Sequence, residues 1–415
     1  MQSLLIFGRQ PELSIAEVES LYGPGIIRVI NSNSAILDID PCLLAFDRLG
    51  GSIKFAKVLT TLNTDKWPTV KDFLINTAPE QTTKMAKGKM TLGISLIGFN
   101  LKVSDINKSG YEIKKAITKT GRNVRYVPHV DSLLLSSAQV IHNKLTGPRG
   151  WELIIIKDGK NSIIGQTIKV QDIKAYSKRD YDRPRRDTKV GMLPPKLAQI
   201  MINLASGKLS ESTRQSICEI PIGKAIPRPK INQTLLDPFC GTGVILQEAL
   251  LMGYDVYGTD INSRMVDYSK TNIIDWLVTT NPGLKAKITI KQADATNFNW
   301  SDQTIDLIAS ETYLGPAFNQ PIKAKEANDF IKDCNDIITK FLSKLAPQIK
   351  SGFRICLAVP AWRTDSQTII KLPFIDQLDY LGYNEVKFKH AQKTDLIYLR
   401  PNQTVARQLL VLTRK

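Results

Sequence analysis

Read for alternation of apolar and polar positions, the chain opens with short strand-like and helix-like pieces in turn. "SLLIFG" (3–8) is a compact apolar run of strand length, and "PELSIAEVESLYG" (11–23) carries apolar residues at helical spacing between a Pro start and a Gly stop. "GIIRVINSNSAILDID" predicts a hairpin about Asn31-Ser32-Asn33, and "CLLAFDRLGGSIKFAKVLTTL" predicts a helix, a Gly50-Gly51 break and another strand. This rhythm suggests a small ferredoxin-like α+β unit over 1–60. A second α+β unit is expected over 61–170. It has helices in "TVKDFLINTA", "SGYEIKKAITKTG" and "SSAQVIHNKLTG", and strands in "KMTLGISLIGF", "NVRYVPH" and "WELIIIKDG".

Residues 171–190, "QDIKAYSKRDYDRPRRDTKV", are polar and turn-prone and predict a linker. From 191 the pattern changes. "GMLPPKLAQIMINLAS" predicts a helix opened by two prolines, with Leu197, Ile200, Met201 and Leu204 on one face. Residues 206–233 predict an extended loop. Strands and helices then alternate to residue 415, the signature of a doubly wound α/β domain over 191–415.

Composition adds two constraints. No run approaches the roughly 18 apolar residues that a membrane-spanning helix needs, and the first residues lack the pattern of a signal peptide, so a cytoplasmic protein is expected. Five scattered cysteines without a CxxC pair and three histidines offer neither a disulfide framework nor a metal cluster. The charge is +17 overall, and residues 101–190 hold 19 Lys and Arg against 9 Asp and Glu, more than half of the excess. Such a run is compatible with a solvated face and equally with a polyanionic partner such as nucleic acid.

The candidate chemistry sits in "TLLDPFCGTGVILQEALLMGYDVYGTDIN" (234–262). An apolar strand ends in Asp237, a turn with Gly241 and Gly243 leads into a helix, and the next strand ends in Asp260. The glycines let backbone approach a ligand closely, and the second acid can hold a ribose diol. A third strand, "AKITIKQADAT", is expected to end in Asp294, placed to meet an adenine amine. Neither GxGxxG nor GxxxxGK[ST] is present, and Asp237 would repel a phosphate. These acids suit S-adenosyl-L-methionine, with its sulfonium and ammonium. The expected cofactor set is Asp237, Pro238, Phe239, Cys240, Gly241 and Gly243, with Asp260, Ile261, Asp294 and Ala295; a packing role is expected of Cys240.

"LLDPFCGTGVILQEA" closely resembles the first motif of THUMP-domain RNA guanine-N2 methyltransferases. "RDYDRPRRDTKVGMLPPKLAQIMINLA" and "IYLRPNQTVARQLLVLTRK" resemble that family's linking segment and closing strands. "LLIFGRQPELSIAEVESL" and "RLGGSIKFAKV" resemble the start of its tRNA guanosine-10 N2-methyltransferase branch. The resemblance implies a Rossmann-like methyltransferase domain behind ferredoxin-like and THUMP-like (61–170) RNA-binding domains. It also implies tRNA as partner. Arg183, Arg185 and Arg186 of the basic linker fit phosphate contact, and a solvated linker explains them about as well. An activating partner subunit and the oligomeric state stay open.

The acceptor loop departs from the family. Where amino-methyltransferases carry Asp/Asn-Pro-Pro-Tyr, this chain has Ser310-Glu311-Thr312-Tyr313, followed by Gly315-Pro316. Tyr313 keeps the stacking ring, and Glu311 or a carbonyl beside it is the expected acceptor for an amine N–H. Methylation of guanine N2 in tRNA is the leading expectation. Methylation of DNA or another RNA base is a second, and a silent RNA-binding protein that retains the pocket is a third.

Overall fold

The computed structural model describes all residues except 188–191, 212, 215–230, 317–327, 365–367, 392–395 and 402, and describes only the backbone at 328 and 329. Much of the 206–233 loop, the end of the linker and the exit of the acceptor loop beyond Pro316 therefore lie outside the described residues.

The N-terminal strands are β1 (Ser3–Phe7), β2 (Ile27–Asn31), β3 (Ser34–Leu37) and β4 (Ser52–Leu62), with α1 (Pro11–Tyr22) after the first. Their spatial order, β2-β3-β1-β4, is the antiparallel arrangement that a ferredoxin-like chain path produces. The helix expected in "CLLAFDRLGG" is absent. Two 3₁₀ turns, Pro41–Leu43 and Phe46–Arg48, stand there instead. Asp40 accepts from the Cys42 N–H, and Ala45 N–H donates 2.8 Å to Tyr22 Oη, so the backbone bonds that a helix would need go elsewhere. Cys42 is disulfide-bonded, against the expectation from cysteine spacing, while Cys240, Cys334 and Cys356 are free and buried.

The second unit supplies α2 (Trp67–Thr83), β5 (Met90–Ile97), α3 (Val103–Thr118), β6 (Val124–Tyr126), α4 (Ser137–His142), β7 (Gly150–Asp158) and β8 (Asn161–Val170). Ser136 and Gln139 close α4 with a reciprocal capping box. β8 returns along β7 and also pairs with β4, so 1–170 share one eight-stranded sheet, β2-β3-β1-β4-β8-β7-β5-β6. Within it, Lys54 and Glu152 form a fully buried ion pair, and Ser95 Oγ donates to the same Glu152 oxygen at 2.6 Å.

The predicted linker contains a helix, α5 (Ile173–Tyr181), capped by the Asp172 carboxylate. It docks through buried Tyr176, whose hydroxyl donates to Gln199, and through Arg179 Nε, 2.8 Å from Glu248 Oε1. Its polar composition conceals this, because the segment covers a neighbour and has no core of its own.

From α6 (Pro195–Ser206) onward the chain builds a second sheet. Its strands are β9 (Thr234–Asp237), β10 (Asp255–Asp260), β11 (Ile288–Gln292), β12 (Leu307–Glu311), β13 (Arg354–Arg363), β14 (Ile369–Ile370), β15 (Tyr383–Glu385), β16 (Leu396–Tyr398) and β17 (Val405–Arg414). The main order is β11-β10-β9-β12-β13-β17-β15, with β17 antiparallel to its neighbours. Strand order reverses between β10-β9 and β9-β12, the switch point at which open α/β sheets bind ligands. Helices α7 (Val244–Leu251), α8 (Ser263–Lys270) and α9 (Asn328–Leu345) accompany these strands, and the turns of Thr271–Val278 widen to π geometry. Among the described residues no helix is long and apolar enough to cross a membrane.

The two sheets are joined by a packed interface. Leu13 and Ala16 of α1 belong to the same buried cluster as Leu197, Met201 and Leu204 of α6. Buried Glu17 accepts from the Gly50 and Gly51 N–H groups at 2.8 and 2.9 Å and from Asn203 Nδ2 at 2.7 Å. Arg48 donates to Asn203 Oδ1 at 2.8 Å and to Tyr254 Oη at 2.6 Å.

Candidate active site

The site forms where β9, β10 and β12 end side by side. Parallel register puts Asp237 opposite Gly258, and Ile308 opposite Leu236, so the loops after the three strands meet. Asp237 is buried, and its Oδ1 accepts from Ser310 Oγ at 2.5 Å and from the Phe239 N–H at 3.4 Å. Burial, above all, pushes its carboxyl up to about 8; the Ser310 and Phe239 bonds oppose that, and Asp260 and Glu311 add repulsion. Among the described residues no cation pairs with it.

The turn after Asp237 has the required left-handed geometry, with φ of +50° at Gly241 and +85° at Gly243. A Cβ on Gly243 would lie 2.9 Å from Ser269 Oγ, whereas one on Gly241 would meet none of the described residues within 4 Å. The first glycine therefore leaves open space beside the backbone, and the second permits close packing of α8. Asp260 Oδ2 accepts from the Gly241 N–H, and its Oδ1 from the Asn262 N–H, both at 2.9 Å. That ties the second acid to the turn, and burial raises its pKa. Ile261, next to it, is 65% exposed and offers an apolar surface at the sheet edge.

Asp294 lies two residues beyond β11 and is exposed, its Oδ1 accepting from Thr296 N and Oγ1 at 2.9 and 2.8 Å. Ala295 and Pro238 are buried. Phe239 is half-buried, edge-on to Phe341 at 5.2 Å. Cys240 packs beneath the turn, its thiol pushed well up by burial and 3.7 Å from Ser269 Oγ. These residues fit S-adenosylmethionine: an unpaired buried carboxylate, a second carboxylate at a glycine turn, open space at Gly241 and an exposed third acid. Asp237 would face the cationic amino-acid end, Asp260 the ribose hydroxyls, and Ile261 and Asp294 the adenine. When bound, that cofactor supplies a methyl group on a sulfonium, an electrophile for an amine.

The acceptor loop divides in two. Ser310 and Thr312 are buried, the first donating to Asp237 and the second donating, from both N–H and Oγ, to the Ala358 carbonyl at 3.0 and 3.3 Å. Their hydroxyls are committed inward, to the Asp237 carboxyl and the Ala358 carbonyl, which leaves Glu311 and Tyr313 as the loop's candidates for meeting an acceptor base. Tyr313 is 47% exposed, as a stacking platform requires. Glu311 is held in an ion pair by Arg407 Nε. Arg407, on β17, escaped sequence reasoning; the signal was a lone arginine in the apolar run "VARQLLVLT". Gly315, with φ of +78°, turns the loop away.

The linker arginines also separate. Arg185 and Arg186 are exposed, their guanidinium groups 5.7 and 5.1 Å from the Tyr268 and Tyr181 ring centres. Arg183 is 3% exposed and points inward, so it makes no surface phosphate contact. Lys196 lies with its Nζ 5.0 Å from the Tyr176 ring centre.

The chain is similar to known methyltransferases. Over 170 residues it is 29% identical to a tRNA (guanine(10)-N2)-dimethyltransferase of Methanothermobacter thermautotrophicus, covering 41% of this chain and 39% of that one. Over 176 residues it is 30% identical to the enzyme of that name from Pyrococcus abyssi, covering 42% and 44%. The chain thus spans less than half the length of the curated relatives it matches. The crystal structure of TrmN from Thermus thermophilus aligns over the whole of both chains with a TM-score of 0.47 and 13% identity. Residues 229–372 match a family model described as a methyltransferase domain. Residues 16–271, more than half of the chain, match the model described as DNA methylase, and the chain belongs to that family.

Proposed function

We propose that this protein is an S-adenosylmethionine-dependent methyltransferase acting on an exocyclic base amine of tRNA, with guanine N2 as the acceptor. The observation that carries the reading is the hydrogen bond between Ser310 and Asp237, which fixes the strand of the acceptor loop against the first acid of the cofactor site. An amine delivered over Tyr313 would thereby lie beside the cofactor's reactive end. Such catalysis rests on positioning and preorganised acceptors. Tyr313 would stack the extruded base. Glu311, held by Arg407 as a fixed anion, and the backbone carbonyls beside it would accept the amine N–H groups. The names of the relatives support tRNA as substrate, and the basic excess in 101–190 supports a phosphate-rich partner.

In this reading residues 61–170 form a THUMP-like RNA-binding region that works with 1–60 to hold a structured RNA by shape and phosphate contacts. Arg185 and Arg186 extend that surface towards the site. A cytoplasmic location follows from a tRNA substrate.

The description of the family itself favours a second reading, DNA as the acceptor. Incubation with methyl-labelled cofactor and either bulk tRNA or duplex DNA, followed by nucleoside mass spectrometry, separates the two. Label in tRNA alone supports the proposal, and label in DNA alone overturns it.

A further inference from the structure

Arg183 occupies a place that a surface phosphate contact does not explain. Its side chain is fully enclosed, yet its contacts are long. Nη1 donates to Thr242 Oγ1 at 3.4 Å, Nη2 forms an ion pair with Asp180 Oδ1 at 3.8 Å and lies 4.0 Å from Met192 Sδ, and Nε has no acceptor among the described residues. A guanidinium presents five donors, and here the loose ion pair with Asp180 engages Nη2 alone, so burial leaves Nε unmatched at a cost. Arg179, one turn earlier, shows the satisfied alternative, with Nε 2.8 Å from Glu248 Oε1.

The surroundings are those of the cofactor turn. Thr242 stands between Gly241 and Gly243, and the missing Cβ of Gly241 leaves open space beside it. The backbone that carries Arg183 is anchored on both sides. Before it, α5 is docked through Tyr176 and Arg179. After it, Arg185 N–H donates to Asn272 Oδ1 at 2.9 Å, while Asn272 Nδ2 donates to the carbonyls of Arg185 and Thr242, each at 2.9 Å. One asparagine thus joins the arginine's segment to the turn.

We infer that Arg183, together with Thr242, receives the carboxylate of the amino-acid end of S-adenosylmethionine. The inference rests on reading this turn as the cofactor site. The acids Asp237 and Asp260 suit the ammonium, the sulfonium and the ribose, but they offer a carboxylate no cation, and it needs an enclosed one close to the turn. Arg183 supplies one with an uncommitted Nε, and a planar guanidinium matches a carboxylate with paired N–H donors.

The test is calorimetric. Wild type, Arg183→Gln and Arg183→Lys are titrated with S-adenosylmethionine and with decarboxylated S-adenosylmethionine, which keeps the sulfonium and the amine. Wild type should bind the carboxylate-bearing ligand about tenfold or more tightly than the decarboxylated one, the strength of a charge-assisted bond. Arg183→Gln should lose that preference while holding the decarboxylated ligand as wild type does, and Arg183→Lys should keep part of it. Should Arg183→Gln fail to fold, Thr242→Val must show the same loss in smaller measure. An unchanged preference in the Gln or Val variant overturns the inference. Binding of neither ligand by wild type overturns the cofactor reading itself, and the inference with it.

Discussion

At the scale of single residues, the site is built on the acids Asp237 and Asp260 at the ends of adjacent strands. Replacing Asp260 by Ala removes the acid bound to the Gly241 N–H and should weaken S-adenosylmethionine binding about 10- to 100-fold, as expected for hydrogen bonds to a charged group; isothermal calorimetry reads this directly. Asp237 carries a pH signature. Its unfolded pKa is 3.8 and its folded pKa about 8, so between these values the native state holds a proton that the unfolded chain has released. Its contribution to stability is complete below about pH 4 and is lost as pH rises through about 8. Melting temperatures of the ligand-free protein should therefore decline more steeply from pH 5 to 8 in wild type than in Asp237→Asn; parallel profiles would exclude that titration. Tyr313→Ala should lower tRNA methylation about 10-fold or more, in keeping with the energy of base–aromatic stacking, and leave cofactor affinity unchanged.

At the scale of elements, the glycine turn and the docked linker carry the geometry. Gly243→Ala forces a side chain onto φ +85° and within 2.9 Å of Ser269 Oγ. It should destabilise the protein by about 1–3 kcal/mol, seen as a lower denaturant midpoint. The strands after residue 233 were legible because burial on both faces gives continuous apolar runs, and because acids and glycines punctuate their ends. α5 was not legible: its helix is held by Tyr176 and Arg179 against Gln199 and Glu248, partners distant in sequence. The 3₁₀ turns of Pro41–Leu43 and Phe46–Arg48 were missed for a related reason, since the Ala45 N–H is claimed by Tyr22. The same limit hid Arg407. Composition marks a charge in an apolar strand, but only the pairing of β17 with β13, and of β13 with β12, brings it to Glu311.

At the scale of the whole molecule, the N-terminal sheet and the methylase domain are built into one another through α1 and α6. Removing residues 1–170 would expose Leu197, Met201 and Leu204 and strip Asn203 of its bonds to Glu17 and Arg48. The isolated remainder should unfold at a lower temperature than the full chain, and circular dichroism would show it. A deletion is thus a poor probe of RNA binding, and reversal of exposed basic side chains in the full chain is the better one. The central claim is a methyl group placed on a guanine amine of tRNA. Its most direct measurement is the position of a labelled methyl group in tRNA after reaction with the whole 415-residue chain, mapped nucleoside by nucleoside. N2-methylated guanosine is the predicted product. Label confined to any other atom, or absent from tRNA while DNA is labelled, would contradict the account.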